Sequence, residues 1–309
     1  MKILFMGSPA IAVPTLKTLY ESADEITGVV SQPDRPAGRG QIVHPCAVAQ
    51  FAREKNLTLL QPEKIKTATF YDELKQLAPD LIVVCAYGRI LPKSILDLPP
   101  KGCINLHFSL LPEYRGAAPV QWALINGEEE TGVTTLFMTE ELDAGPILFQ
   151  EEVPIQPEET TETLGQRLST IGANLLIRTI EKLKRGECIP IPQDEEEATY
   201  APLLKKEDGK IDFSKKAKTL WHRIRGMTPW PGAYMTLNGQ RLKIWKASYE
   251  EAKTSEPPGT LLSADERGIK IICGKGTLVL EEVQLEGKKR MTAVDFLKGH
   301  PPTGRDQVG

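Results

Sequence analysis

Three polar side chains in the middle of the chain have the types and spacing needed for acid–base and oxyanion chemistry. Asn105 and His107 lie two residues apart in the apolar run GCINLH, so on a strand they share one face. A histidine can act as an acid or a base near neutral pH, and an asparagine amide can donate a hydrogen bond to a developing oxyanion. Asp143 lies in the turn-forming sequence LDAGP, and a carboxylate held there could orient the histidine.

Each of the three residues also has an ordinary structural interpretation. A histidine at a strand end is more often structural than catalytic, and Asn105 by itself fits a hydrogen-bonded strand terminator. Asp143 by itself fits a turn residue. Separation along the chain does not show whether the three side chains meet, so both interpretations stay open on the residues alone.

The block from Asn105 to Pro146 resembles the signature of the formyltransferase family that uses 10-formyltetrahydrofolate. In that family an Asn-x-His pair and a later Asp in a Leu-Asp-x-Gly turn form the catalytic trio. The resemblance therefore implies that Asn105, His107 and Asp143 are catalytic. It also implies a stretch that contacts the folate co-substrate, formed by Ser109, Leu110, Leu111 and Pro112.

Two further regions resemble the tRNA-acting branch of this family, the methionyl-tRNA formyltransferases. Residues 31–40 (SQPDRPAGRG) resemble a loop that these enzymes insert after their second strand, and Arg35 and Arg39 would contact phosphates or bases from it. By composition alone this segment is an ordinary surface turn. Residues 211–213 (IDF) and 228–233 (TPWPGA) resemble the family's second domain. The resemblance implies formyl transfer from 10-formyltetrahydrofolate to the α-amino group of methionyl initiator tRNA, in translation initiation.

Charge is distributed unevenly along the chain. Residues 201–309 hold 20 lysines and arginines against 13 acidic residues, a formal charge of +7, whereas residues 1–200 carry −10. A basic C-terminal third suggests an appendage that binds a polyanion, and a solvated surface without a partner is the alternative. We expect tRNA contacts from three consecutive basic residues of this region, Lys288, Lys289 and Arg290.

The pattern of the first 187 residues predicts the elements that hold these side chains. Apolar runs alternate with segments of helical spacing, which indicates an α/β fold with a Rossmann-like, mostly parallel sheet. Ligands of such sheets bind at the carboxyl ends of the strands, where residues 7–9, 87–88 and 107–109 should lie. The predicted strands are residues 1–6, 26–30, 80–86 and 102–107, and the predicted helices are residues 13–19, 47–55 and 160–183.

The remaining chain has a different pattern. Residues 188–204 are rich in proline and acidic residues and fit a linker between a catalytic domain, 1–187, and a basic domain, 205–309. Five short alternating segments between Ala233 and Leu285 predict a small OB-like β-barrel. Three tryptophans of this part could stack on bases or belong to a core or an interface: Trp221, Trp230 and Trp245.

Several classes of protein and site are disfavoured. The turn after the first strand lacks G-x-G-x-x-G, so a nicotinamide cofactor is not predicted, and no nucleotide-hydrolysing G-x-x-x-x-G-K-[ST] loop is present. The five cysteines and four histidines have no metal-ligand spacing, so we expect no metal site. No signal peptide or membrane span is evident, which predicts a cytoplasmic protein, and we expect a monomer.

Three other functions are alternatives to formyl transfer onto methionyl-tRNA. A formyltransferase that acts on a small amine would use the same trio, and so would a hydrolase of formyl-folate. Neither needs a basic domain or the segment 31–40. A non-catalytic RNA-binding protein would need no complete set of Asn105, His107 and Asp143.

Overall fold

The computed structural model describes residues 1–37, 42–251, 255–300 and 308. The chain forms two compact units. Unit 1 comprises Met1–Pro119, Glu130–Pro154 and Gly165–Pro202, and unit 2 comprises Val120–Glu129, Ile155–Leu164 and Leu203–Gly309. Unit 2 thus takes two short segments from the middle of the chain, which no local sequence pattern had indicated.

Unit 1 is built on a seven-stranded sheet in the order β5-β2-β1-β6-β7-β8-β9. The five strands from β5 to β7 are parallel, and β8 and β9 continue the sheet in antiparallel pairing. The strands are β1 (Lys2–Gly7), β2 (Glu25–Val30), β5 (Leu59–Leu60), β6 (Leu81–Cys85), β7 (Cys103–His107), β8 (Glu130–Phe137) and β9 (Ile147–Pro154). Strands β3 (Arg35–Ala37) and β4 (Ile42–His44) pair antiparallel in a separate two-stranded sheet.

Along the chain, helices α1 to α5 lie between these strands and α6 follows β9. The helices are α1 (Val13–Tyr20), α2 (Ala47–Glu54), α3 (Ala68–Leu77), α4 (Lys93–Leu96), α5 (Pro119–Asn126) and α6 (Thr161–Arg185). Residues Ile3 to Met6 of β1 are fully buried on both faces, as expected for a central parallel strand covered by helices on each side. On one face, Leu4 packs in a cluster with Phe70 and Leu74 of α3. The predicted Rossmann-like, mostly parallel sheet is confirmed.

The parallel direction of β1, β6 and β7 brings their carboxyl ends to one edge of the sheet. Ser8, Tyr87 and His107 follow or end these strands, so the edge collects the residues predicted to lie there. The antiparallel strands β8 and β9 were not predicted. Strand β8 pairs antiparallel with β7, and Thr134 lies opposite His107 in this pairing. β8 therefore lies next to the carboxyl end of β7.

Unit 2 contains a six-stranded antiparallel sheet in the order β10-β11-β14-β13-β12, with β15 also paired to β14. All five predicted strands are present, and the curled sheet confirms the OB-like fold class. Apolar side chains of this sheet pack with those of helices α7 and α8 in one buried core. The elements are α7 (Ala217–Gly226), β10 (Tyr234–Leu237), β11 (Gln240–Glu250), β12 (Leu261–Asp265), β13 (Gly268–Ile272), β14 (Thr277–Leu285), β15 (Met291–Thr292) and α8 (Ala293–Gly299).

No helix within the described residues is long and apolar enough to cross a bilayer. The longest helix, α6, spans Thr161–Arg185 and alternates buried and charged positions. Its last turn holds Lys182, Lys184 and Arg185, a placement that complements the negative end of the helix dipole.

Candidate functional site

The last residues of β7 place two of the predicted side chains on one face of the sheet. Asn105 and His107 are two positions apart, and they pair with Leu136 and Thr134 of β8 in antiparallel register. His107 is buried, with 5% of its side chain exposed, and Asn105 is partly buried. The strand pattern therefore positions both polar groups at the carboxyl end of a strand in the sheet interior.

Asp143 reaches this strand end from the loop between β8 and β9. Its Oδ1 accepts a hydrogen bond from Nδ2 of Asn105 at 3.1 Å, and its Oδ2 accepts one from the backbone N–H of Gly116 at 2.9 Å. Oδ2 also lies 3.6 Å from Nδ1 of His107, an ion-pair distance rather than a hydrogen bond. The structure thus brings together the three residues that the sequence had left far apart.

The backbone of the Asp143 loop is held in an unusual conformation. Asp143 has φ +50°, in the left-handed region that residues with a side chain rarely adopt. Two positions along, a Cβ on Gly145 would collide with the carbonyl oxygen of Phe137. Glycine is therefore required at 145 for the loop to approach the end of β8 closely enough to deliver the carboxylate.

Residues 114–116 form the opposite wall of the site. The carbonyl oxygen of Tyr114 lies 3.0 Å from Nε2 of His107 and accepts its hydrogen, while the Gly116 N–H donates to Asp143. A Cβ on Gly116, which has φ +124°, would lie 2.7 Å from the carbonyl oxygen of Ala201. Both ring nitrogens of His107 thus face hydrogen-bond acceptors, of which a neutral ring can satisfy one and an imidazolium both.

The stretch expected to contact folate is a rigidly bonded turn after β7. Thr134 Oγ1 donates to the carbonyl oxygen of Ser109 at 2.7 Å and accepts from the N–H of Leu111 at 3.2 Å. Ser109 and Leu111 are buried, and Leu111 packs with Leu136 and Ile147. Their side chains face the interior of unit 1. The other two members of the stretch, Leu110 and Pro112, are partly exposed.

A further pair of residues supports the site and was missed by the sequence reasoning. Arg115 is 2% exposed, and its guanidinium donates to Gln193 and Glu195. Gln193 in turn donates to the backbone carbonyls of Asp143 and Gly145. Gln193 and Glu195 lie in a proline-rich segment without periodicity, so no local signal marks them. Arg115 alone lay inside the recognised signature, and its burial could not be inferred from it.

The residues predicted to contact tRNA lie on different units. In unit 1, Arg35 is exposed on β3, and Arg39 lies outside the described residues. In unit 2, Lys288 and Lys289 are exposed in the turn after β14, and Arg290 forms an ion pair with Glu282. Charge neutralisation by Glu282 leaves the two lysines as the more available cations of this turn.

Trp245 of β11 has two cationic side chains over its ring. The Nζ of Lys243 lies 3.8 Å from the centre of this ring, and the guanidinium carbon of Arg290 lies 4.8 Å from it. Burial, followed by the neighbouring Arg241 and Arg290, lowers the pKa of Lys243. Of the three tryptophans considered for stacking, Trp221 instead packs against the unit 2 core, and Trp230 is 46% exposed.

Thiol and metal chemistry find little support in the part of the chain that the structure covers. Burial raises the pKa of the Cys85 and Cys103 thiols to about 12, so neither is a thiolate near neutral pH. No group of three or more His, Cys, Asp or Glu side chains that could hold a metal ion occurs among the described residues. The polar side chains that the structure brings together at the end of β7 are Asn105, His107 and Asp143.

Comparison with known proteins gives the same assignment for both halves of the chain. The formyl transferase family model matches residues 1–180, and the formyl transferase C-terminal domain model matches residues 203–301. A methionyl-tRNA formyltransferase of Citrifermentans bemidjiense is 50% identical over 300 residues, which cover 97% of this chain and 94% of that protein.

Solved structures share the fold at low identity. Methionyl-tRNA formyltransferase from Clostridium thermocellum superposes with a TM-score of 0.59 at 21% identity, over 89% of this chain and 100% of that one. HypX from Aquifex aeolicus in complex with tetrahydrofolic acid gives 0.63 at 19% identity, over 96% of this chain and 47% of HypX. The two matching domain models and 50% identity over 97% of the chain place this chain in the methionyl-tRNA formyltransferase family.

Proposed function

We propose that this protein transfers a formyl group from 10-formyltetrahydrofolate to the α-amino group of methionyl initiator tRNA, in translation initiation. The observation that carries the proposal is that Asn105, His107 and Asp143 lie together at one strand end. The chain that holds them is 50% identical in sequence to a methionyl-tRNA formyltransferase. A fold that served binding alone would not need a carboxylate that accepts a hydrogen bond from an amide at 3.1 Å and lies 3.6 Å from an imidazole.

The reaction exchanges one carbon–nitrogen bond for another. The neutral α-amino nitrogen of the methionyl group attacks the formyl carbon, and a tetrahedral centre with an oxyanion forms. The bond between that carbon and N10 of the folate then breaks. The attacking nitrogen loses one proton and N10 gains one, so tetrahydrofolate and formylated methionyl-tRNA are the products without any oxidant or reductant.

Asn105, His107 and Asp143 would each have a different role in this reaction. One amide hydrogen of Asn105 is committed to Asp143, and the second is available to donate to the oxyanion. His107, anchored between Tyr114 and Asp143, would supply positive charge beside the oxyanion when its ring is doubly protonated. Asp143 would balance that charge and accept the proton that leaves the attacking amine.

The co-substrate would lie along the carboxyl edge of the unit 1 sheet, against the turn after β7. Of the stretch Ser109, Leu110, Leu111 and Pro112, the partly exposed Leu110 and Pro112 would provide direct contact. The buried Ser109 and Leu111 would hold the shape of the turn through Thr134. The tetrahydrofolic acid bound by the structurally similar HypX supports this co-substrate class.

The tRNA would be bound by residues of both halves. We propose residues 1–187 as the catalytic domain, 188–204 as a linker and 205–309 as the basic tRNA-binding domain. Arg35 and Arg39 would approach the acceptor end, and Lys288, Lys289 and Arg290 would contact phosphates. The protein would work as a monomer in the cytoplasm, without a metal or a nicotinamide.

The deciding experiment is formyl transfer from 10-formyltetrahydrofolate to charged initiator methionyl-tRNA, with elongator methionyl-tRNA and free methionine in parallel. We expect fast transfer to the initiator only. His107→Ala should reduce the single-turnover rate by at least about 100-fold, the loss typical of one transition-state contact. Gln76→Ala, at an exposed position of α3, is the control and should keep the wild-type rate. Folate turnover on a small amine or on water, with no transfer to any tRNA, would overturn the proposed substrate.

A further inference from the structure

Gln193 uses all four hydrogen-bonding positions of its side-chain amide, and all four lead to the candidate site. Nε2 donates to the backbone carbonyl oxygens of Asp143 and Gly145, each at 2.7 Å. Oε1 accepts from Nε and Nη2 of Arg115, at 3.0 and 2.8 Å. A glutamine so fully bonded has one orientation, because reversing the amide would set acceptor against acceptor and donor against donor.

Arg115, the partner of that amide, lies between the two backbone groups that hold the proposed catalytic side chains. The residue before it, Tyr114, accepts the hydrogen bond of His107, and the residue after it, Gly116, donates to Asp143. Its own guanidinium is buried, and Glu195 raises its pKa by hydrogen bonding. A permanent cation at this point is neutralised by Glu195 and aligned by Gln193.

These bonds close a ring. The ring runs from Asp143 to the Gly116 N–H, along the chain to Arg115, through its guanidinium to Gln193, and back to the carbonyl of Asp143. Asp143 is hydrogen-bonded in this ring at both its carboxylate and its backbone carbonyl. Gln193 also donates to the carbonyl of Gly145, where the loop passes the end of β8. Since Asp143 has a left-handed backbone, the loop needs such external restraint to hold its carboxylate toward Asn105.

We propose that Gln193 is a positioning residue for formyl transfer: it fixes the Asp143 loop so that the carboxylate meets Asn105 and His107. The inference rests on the proposed function. It assigns a role in the reaction to a segment, 188–204, whose composition suggested only a linker. Gln193 touches neither substrate in this scheme, and its effect passes through Asp143.

Two substitutions separate hydrogen-bond donation from simple space filling. Gln193→Ala removes all four bonds. Gln193→Glu keeps the size and the acceptors for Arg115, but it replaces both donors and sets a carboxylate against two carbonyls. We expect both variants to lose 10- to 100-fold in the single-turnover rate of formyl transfer, with the KM for tRNA and for the folate changed less than threefold.

The matched control is Glu196→Ala, an exposed position three residues further along the same segment. It should keep the wild-type rate. Wild-type rates in Gln193→Glu would overturn the proposal, because they would mean that the amide donors are dispensable. A loss confined to KM, with the rate at saturation intact, would also overturn it.

A double-mutant test distinguishes positioning from general structural damage. Gln193→Ala introduced into Asp143→Ala should slow the residual transfer less than twofold, because the side chain to be positioned is already gone. Multiplicative losses would overturn the proposal. Hydrogen–deuterium exchange offers a readout besides activity: we expect faster exchange of a peptide covering residues 141–147 in Gln193→Ala than in Glu196→Ala. Equal exchange would count against the ring.

The outcome for wild-type protein keeps this inference separate from the proposed function. If the wild type formylates methionyl-tRNA and both Gln193 variants match it, only the positioning role fails. If the wild type formylates no tRNA, the proposed function fails, and the exchange measurement still reports whether Gln193 holds the loop.

Discussion

The side-chain amide of Asn105 donates to Oδ1 of Asp143 at 3.1 Å, across 38 residues of sequence. This bond fixes which way the amide points, with its nitrogen toward the carboxylate and its oxygen turned away from it. A strand end and a loop are thereby coupled through one polar contact in a largely buried place, where an unmatched charge would be costly.

Asn105→Asp should disable the site while leaving the fold intact. The substitution keeps the size of the side chain but replaces the donor by a carboxylate that repels both Asp143 and a developing oxyanion. We expect the single-turnover rate of formyl transfer to fall by about 100- to 1,000-fold, as for the loss of one oxyanion donor. Asn56→Asp, at an exposed position, is the matched control and should retain the rate. Comparable activity in the two variants would contradict the proposed role of Asn105.

Gly145→Ala should impair both stability and catalysis. Its Cβ would collide with the carbonyl oxygen of Phe137, so the loop that carries Asp143 must move. We expect a loss of about 1 to 3 kcal/mol in the free energy of unfolding, as for overpacking, together with slower transfer. Gly165→Ala in α6 is the control, because a Cβ there meets only Ile11 at an ordinary 3.5 Å. Denaturant titration of both variants would test this. Equal free energies of unfolding would contradict the prediction, because they would mean that the loop accommodates a Cβ at position 145.

Replacing Lys288 and Lys289 together by alanine should weaken tRNA binding and flatten its salt dependence. Both side chains are exposed in the turn after β14. If each contacts a phosphate, the slope of log K against log salt should decrease by about 1 per residue removed. Binding titrations at several salt concentrations provide the measurement. Lys298→Ala, whose side chain is paired with Asp295, serves as control, and an unchanged slope in the double variant would exclude this turn from the tRNA contact.

The stability of unit 2 should decrease as the pH falls from about 6.5 to about 4. Burial, and then the nearby Arg225 and Lys218, lowers the pKa of His222 to about 4 from its usual 6.5, and its Nδ1 faces the Arg225 guanidinium at 2.9 Å. Below pH 6.5 the unfolded chain therefore binds a proton that the folded chain does not. The stabilisation is fully present above 6.5 and is lost as the pH approaches 4.

The size of this effect is about 2 kcal/mol, allowing for solvent screening at a partly exposed position. His222→Gln keeps a hydrogen-bond acceptor for Arg225 and removes the titration. Urea unfolding of both proteins at pH 7 and pH 4.5 should show a smaller decrease of stability in the variant. An identical decrease in both would mean that His222 titrates alike in the folded and unfolded chain.

The sequence by itself determined the elements and the identity of the chemical groups. Alternating apolar runs identified the central strands of unit 1 and the five strands from Ala233 to Leu285, because strand and helix periodicities are local properties of the chain. The spacing of Asn105 and His107 placed both on one face of β7 for the same reason. The resemblance of the block from Asn105 to Pro146 supplied the role of Asp143, which periodicity could not.

Only the tertiary structure decided how these groups are held. The contact of Asp143 with Asn105, and the ring through Arg115 and Gln193, join segments far apart in sequence, so no local pattern encodes them. The antiparallel strands β8 and β9 depend on pairing with β7 and were missed for that reason. The segment 188–204 lacks the apolar periodicity of a helix or strand, so its composition predicts a linker. Its contact with the Asp143 loop is made by hydrogen bonds from Gln193, which a local sequence pattern does not show.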